Sequence, residues 1–152
     1  MLTLKEQRLH AAAASGGISS EVIYDPILNV IRDYGLSGRA LDYGAGVGNF
    51  TEKLSATGRF EQIDGADILP RPENLPITIP WYRLDLNDAD GIPAASFDVV
   101  IAVEVIEHLE NARKVAREWF QMLKPGGTLI LSTPNNESLR SLMALLVRGH
   151  YV

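Results

Sequence analysis

Three glycines alternate in Ala40-Leu41-Asp42-Tyr43-Gly44-Ala45-Gly46-Val47-Gly48-Asn49-Phe50, directly after an apolar run that ends in an acid. Glycines at a turn let backbone pass close to a ligand and take positive φ without steric cost. The run before them reads as a buried strand and the residues after Gly48 as the start of a helix. The free N–H groups and positive dipole end of such a helix suit an anionic group. This is chemistry for holding a nucleotide-like cofactor. The dinucleotide fingerprint G-x-G-x-x-G needs its third glycine three positions after the second. Asn49 stands there, so the pattern is Asp-x-Gly-x-Gly-x-Gly. A tight turn with no ligand can carry the same glycines, and the loop has to be read with the other polar residues near it.

Those residues are acids at the ends of apolar runs: Asp42, Asp67, Asp85 and Glu104. The elements that position them follow from periodicity. Strands are expected at 39–43, 60–67, 81–85, 97–103 and 128–132. Helices are expected at 4–14, after Ser19-Ser20 (with Ser20 as N-cap), at 48–56, at 111–123 and at 136–147. Pro26 could split the second of these helices. Phe97-Asp98-Val99-Val100-Ile101-Ala102-Val103 is nearly all apolar, as in a strand covered on both faces. Lys124-Pro125-Gly126-Gly127 should end the helix before it. Strands alternating with helices imply parallel βαβ units in a doubly wound α/β sheet. Ligands of such sheets sit at the carboxyl ends of the strands, where all four acids fall. Any one of them could equally be a turn former or a cap. Asp64 is a rival to Asp67, but lies inside its strand.

The length of 152 residues suits one domain, divided here into an N-terminal helical segment, 1–35, and a core, 36–152. Net charge is −5 and the isoelectric point about 5.1, so no global basic field invites nucleic acid. Arg113, Lys114, Arg117 and Lys124 are expected on one helix, as a solvated face. There is no cysteine, which excludes disulfides, thiolate zinc sites and thiol nucleophiles. No apolar stretch approaches the roughly 20 residues a membrane span needs. The N-terminus makes a poor signal peptide. A cytoplasmic location is the expectation.

Three blocks resemble the class I S-adenosylmethionine-dependent methyltransferases. They are Leu41-Asp42-Tyr43-Gly44-Ala45-Gly46-Val47-Gly48, the stretch from Phe97 through Val103-Glu104-Val105-Ile106-Glu107-His108-Leu109, and Leu123-Lys124-Pro125-Gly126-Gly127-Thr128-Leu129-Ile130-Leu131-Ser132-Thr133-Pro134-Asn135. Their order and spacing match across roughly residues 36–136. They are most similar to members that methylate small molecules such as quinone precursors. The resemblance implies a Rossmann-like sheet of order 3-2-1-4-5 with helices on both faces, and a small-molecule acceptor rather than nucleic acid.

It also implies roles for residues. Backbone from Tyr43 through Gly44, Ala45, Gly46 and Gly48 to Asn49 would run along the amino acid and ribose of S-adenosylmethionine. Asp42 would position that loop or receive the cofactor's ammonium through water. Asp67, roughly 20 positions after Gly48, would accept both ribose hydroxyls. Ile68 would pack on adenine, Asp85 would accept from its amino group, and the Leu86 N–H would meet the ring. Val103 and Glu104 would lie under the methionine portion. Glu107 and His108, after the fourth strand, are candidates for a base, and imidazole is suited to take a proton near neutral pH. Glu104, Glu107 and His108 could instead hold a divalent metal, as the same grouping does in ubiquinone-pathway O-methyltransferases.

The family's strands 6 and 7, an antiparallel hairpin beyond the fifth, have no sequence here. Either the chain is a fragment or a partner supplies that edge. An uncovered edge strand pairs readily with another chain, so self-association is expected. Two other readings stay open: a nicotinamide-dependent oxidoreductase, against which Asn49 and Asp85 speak, and a non-catalytic cofactor-binding scaffold.

Overall fold

A computed structural model describes residues 3–15 and 21–135. The described strands form one parallel sheet: β1 (Gly38–Tyr43), β2 (Phe60–Asp67), β3 (Trp81–Arg83), β4 (Phe97–Val103) and β5 (Leu123–Ser132), in the order β3-β2-β1-β4-β5. The helices are α1 (Leu4–Ser15), α2 (Tyr24–Asp33), α3 (Asn49–Ala56) and α4 (Ala112–Met122). This is the doubly wound α/β sheet expected from the alternation of elements. The expected helix at 136–147 and the Ser20 cap lie outside the described residues.

Strand periodicity of two sorts the core into two layers. Ala40, Ile63, Val99, Ile101 and Val103 face α2 and α3, against Tyr24, Ile27, Ile31, Phe50 and Leu54. Leu41, Tyr43, Ala66, Val100 and Ala102 face α4, against Val115, Trp119 and Met122. β4 reads as almost unbroken apolar sequence because its alternate residues serve opposite layers. α2 and α4 each present buried residues at helical spacing, Tyr24, Ile27 and Ile31 in one, Val115, Trp119 and Met122 in the other.

The helix ends are locally encoded. Asn111 caps α4 by accepting from the Lys114 N–H at 3.0 Å. Gly35 takes φ +62 after α2, with Gly35 N–H on Arg32 O and Leu36 N–H on Ile31 O, a Schellman closure. Pro26 does not split α2. It sits in the first turn, where its missing N–H has no intrahelical partner to lose.

Two boundaries differ from expectation. β3 stops at Arg83, which leaves Asp85 in the loop beyond it. β5 begins at Leu123, immediately after α4, because Leu123 already pairs with Phe97 before Thr128 pairs with Val99. Residues 124–127 bulge between those pairs, with Gly126 at φ +80. Lys124 is therefore not on the helix face. It bridges to Asp98 at 2.7 Å, while Lys114 pairs with Asp88 and Glu118.

Candidate functional site

Because all five strands run parallel, their carboxyl ends meet on one side, and the loops there form the site. The chain leaves β1 through Gly44, Gly46 and Gly48, at φ +87, +55 and +85. Gly44 and Gly48 are also sterically required. A Cβ on Gly44 would lie 2.3 Å from Val105 Cγ2, and one on Gly48 2.8 Å from Leu75 Cδ1. Gly44 and Ala45 both donate their N–H to Ala66 O, at 2.8 and 3.1 Å, and this ties the loop to the end of β2.

Asp67 closes that arrangement. Its Oδ2 accepts from Gly46 N–H at 2.8 Å and its Oδ1 from Leu69 N–H at 2.8 Å. The side chain is buried, which pushes its carboxyl up; the N–H bonds from Leu69, Gly46 and Ile68 act the other way. A carboxylate has about four acceptor positions, so Asp67 keeps lone pairs for hydroxyl donors while it holds the loop. Asp64, its rival, is committed elsewhere. It is fully buried and receives Arg39 Nη2 at 2.5 Å, Gln62 Nε2 at 2.7 Å and Tyr82 Oη at 3.2 Å.

Asp42 is 1% exposed and accepts from Thr51 Oγ1 at 2.6 Å. Burial pushes its carboxyl up to about 7, with the Thr51 hydroxyl opposing and Asp67 adding to the rise. Asp42 thereby joins the end of β1 to the first turn of α3 across the glycines. Thr51 was not anticipated as part of this; a hydroxyl in a first helical turn after a glycine loop is the signal that could have marked it.

Asp85 and Leu86 lie beyond β3. The Asp85 carboxylate accepts from Asn87 N–H at 3.0 Å and pairs with Arg8 Nη1 at 2.5 Å. Burial alone would raise its pKa, but Asn87 and Arg8 outweigh it and leave it below the ordinary carboxylate value. The other Arg8 nitrogen pairs with Glu110 at 2.5 Å. Arg8 thus brings α1 over the ends of β3 and α4, a placement no local sequence signal marks. A polar cleft of about 580 Å³ lies there, lined by Arg8, Asp85, Asn87, Glu110 and Lys114 among others. A second cavity of about 310 Å³ lies between Leu9, Ile68, Arg83 and Leu84. Ile68 is thereby placed as an apolar wall, and Leu9 of α1 is a wall the sequence did not suggest.

Other expected site residues are less directly engaged. Tyr43 and Val103 are buried, and their side chains pack into the two core layers rather than toward the loops. Asn49 opens α3 half-buried. Glu104 adopts φ +53, a left-handed conformation rare for a residue with a side chain, and its N–H meets Ser132 O and Oγ at 3.1 and 3.2 Å. Such backbone strain clusters at functional sites. Glu107 and His108 follow in a short 3₁₀ turn and are exposed. Among the described residues no three His, Cys, Asp or Glu side chains come together as a metal-binding set. That holds for Glu104, Glu107 and His108, of which the last two lie exposed in the turn after β4.

Arg71 completes the rim. Its guanidinium donates to the carbonyls of Leu75, Pro76 and Ile79, folding residues 70–80 so that Leu75 rests on Gly48.

The three positive-φ glycines of the loop and the Asp67 carboxylate beside them are chemically suited to an S-adenosyl group.

Comparison with known proteins agrees with this geometry. A family model described as a methyltransferase domain matches residues 20–150. The ubiquinone biosynthesis O-methyltransferase of Psychrobacter cryohalolentis is 28% identical over 129 residues, covering 79% of this chain and 50% of that protein. The Cereibacter sphaeroides enzyme of the same name is 33% identical over 118 residues, covering 71% of this chain and 46% of its own length. The chain thus spans about half the length of the curated relatives it matches. In fold, it resembles a SAM-dependent methyltransferase from Archaeoglobus fulgidus, with a TM-score of 0.65, 22% identity, and coverage of 88% of this chain and 62% of that one. A putative S-adenosyl-L-methionine-dependent methyltransferase from Methanococcus maripaludis gives 0.64 at 22% identity, over 93% and 71%. Since the family match runs through the glycine loop, the sheet and α4 alike, this chain belongs to the methyltransferase domain family, and its sheet is that of the class I S-adenosylmethionine-dependent methyltransferases.

Proposed function

We propose that the chain is the cofactor-binding part of an enzyme that transfers a methyl group from S-adenosylmethionine to a small-molecule acceptor. The observation that carries this reading is the Asp67 carboxylate, which stands at the end of β2 and grips Gly46 of the glycine loop. Residues 44–48 would hold the amino acid and ribose portion, with Asp67 taking the ribose hydroxyls. Ile68 and Leu9 would flank the adenine, Asp85 would accept from its amino group and Leu86 N–H would face the ring. Val103 and Glu104 would end β4 beneath the methionine portion.

When bound, the cofactor supplies a carbon already activated by a positively charged sulfur. The protein has then to align the acceptor, exclude water and, for a neutral nucleophile, take a proton. Glu107 and His108, exposed in the turn beyond β4, would be the side chains to take it. The similarity to ubiquinone O-methyltransferases supports a small, oxygen-bearing acceptor.

Calorimetric titration with S-adenosylhomocysteine, with NADH as control, tests the cofactor assignment. Micromolar binding of the first alone, abolished in Asp67→Ala, is the expected result. A folded chain that binds neither would count against it.

The same reading makes this a cytoplasmic protein with no nucleic-acid substrate. It is supported by the acidic charge and by the absence, among the described residues, of a helix long and apolar enough to cross a membrane. It also makes the chain self-associate along β5, which pairs with β4 on one side and carries Leu129 and Leu131 about 40% exposed. Light scattering should then show a dimer or larger species, and a clean monomer at high concentration would refute it.

A further inference from the structure

Tyr43 fills a core position that a phenylalanine could fill, yet it carries a hydroxyl into the interior. A buried hydroxyl costs free energy unless it is hydrogen-bonded. This one donates to Leu86 O at 2.6 Å. The ring is fully buried and stands edge-on to Trp119, with centroids 5.5 Å apart and planes at 87°. Burial, with Glu118, Asp85 and Asp88 nearby, drives the hydroxyl's pKa up and keeps it a donor. One residue later, Gly44 N–H is bonded to Ala66 O and the glycine loop begins. Tyr43 therefore anchors both halves of the site, the glycine loop through its backbone and the 84–88 segment through its side chain. That segment carries Asp85, whose carboxylate is further set by Asn87.

We propose that Tyr43 is a positioning residue for base recognition: by holding the Leu86 carbonyl it sets the Leu86 N–H and the Asp85 carboxylate at the spacing that selects adenine. This rests on the cofactor assignment above. A 6-amino group suits an acidic acceptor at that spacing, whereas the 6-oxo group of hypoxanthine does not. The hydroxyl of Tyr43 touches no cofactor atom; it acts through Leu86.

The test compares S-adenosylhomocysteine with S-inosylhomocysteine, by calorimetry, for the wild type and Tyr43→Phe. The variant removes one oxygen and leaves the ring against Trp119. Loss of one neutral hydrogen bond predicts a fall of about fivefold in the preference for adenine over hypoxanthine, carried by weaker binding of the adenosyl ligand alone. A merely structural role would lower the melting temperature and weaken both ligands equally; an unchanged preference therefore overturns the proposal. If Tyr43→Phe fails to fold, Trp119→Phe loosens the same ring and must reduce the same preference, and constancy there overturns it as well. Failure of the wild type to bind S-adenosylhomocysteine is a separate result, which removes the cofactor assignment and this inference with it.

Discussion

At Asp42, burial and local hydrogen bonding compete over a single proton. The unfolded chain releases it near the ordinary value of 3.8, whereas the folded protein keeps it to about 7. Between those values the native state binds more protons than the unfolded one, so stability falls as pH rises through that window and levels above it. Asp42→Asn cannot titrate and retains an oxygen for the Thr51 hydroxyl. The stability advantage of the wild type over Asp42→Asn should therefore shrink from pH 4 to pH 7 in urea titrations. A difference that stays flat would mean the folded carboxyl ionises normally. The glycine loop and its flanking acids were legible in the sequence because each glycine answers a local demand, a positive φ at the turn from β1 into α3. The hydrogen-bond partner of Asp42 was not, since Thr51 reaches it only once α3 has folded back over β1.

Among the elements, α1 is the one least explained by its own sequence. One tie to the body runs through Arg8, whose side chain is 23% exposed and whose partners Asp85 and Glu110 are distant in sequence. Partly exposed ion pairs of this kind contribute about 1 kcal/mol or less. Arg8→Ala should consequently raise amide exchange across α1 by about fivefold while exchange in β1 and β4 stays as it was, and high salt should do the same to the wild type. Equal exchange in the variant would show that α1 is held by other contacts. β4 and α4, in contrast, were readable directly from periodicity. The early start of β5 was not, because the proline and glycines that mark a helix end also permit a bulge, and the pairing of Leu123 with Phe97 decided between them.

Across the molecule, Arg39 and Asp64 join β1, β2 and β3 through one buried charge network. Arg39 also stacks over Phe97, 4.8 Å from the ring centroid. Asp64 is fully buried, so removing its cation strands a carboxylate in the core. Arg39→Met, which keeps the apolar stem, should cost about 3 kcal/mol in chemical denaturation, the low end for a broken buried pair because Gln62 and Tyr82 remain as donors. Arg39→Met combined with Asp64→Asn should recover much of that loss. If the double variant is no more stable than the single, the pair is not the source of the cost.

What the sequence determined by itself was whatever depends on neighbours along the chain: the strand and helix periods, the glycine turn, and hence a parallel sheet and the end of it at which a ligand would sit, while the strand order came from the family resemblance. Position along β2 favoured Asp67 over Asp64 in advance, but only the tertiary structure showed that Asp67 holds the loop through Gly46 while Asp64 is spent on Arg39, Gln62 and Tyr82. It decided likewise that Arg8 covers Asp85 and that Tyr43 holds Leu86. Each of these is a meeting of residues far apart in the chain. Strand register and side-chain packing set such meetings, and the spacing of residue types carries no record of them.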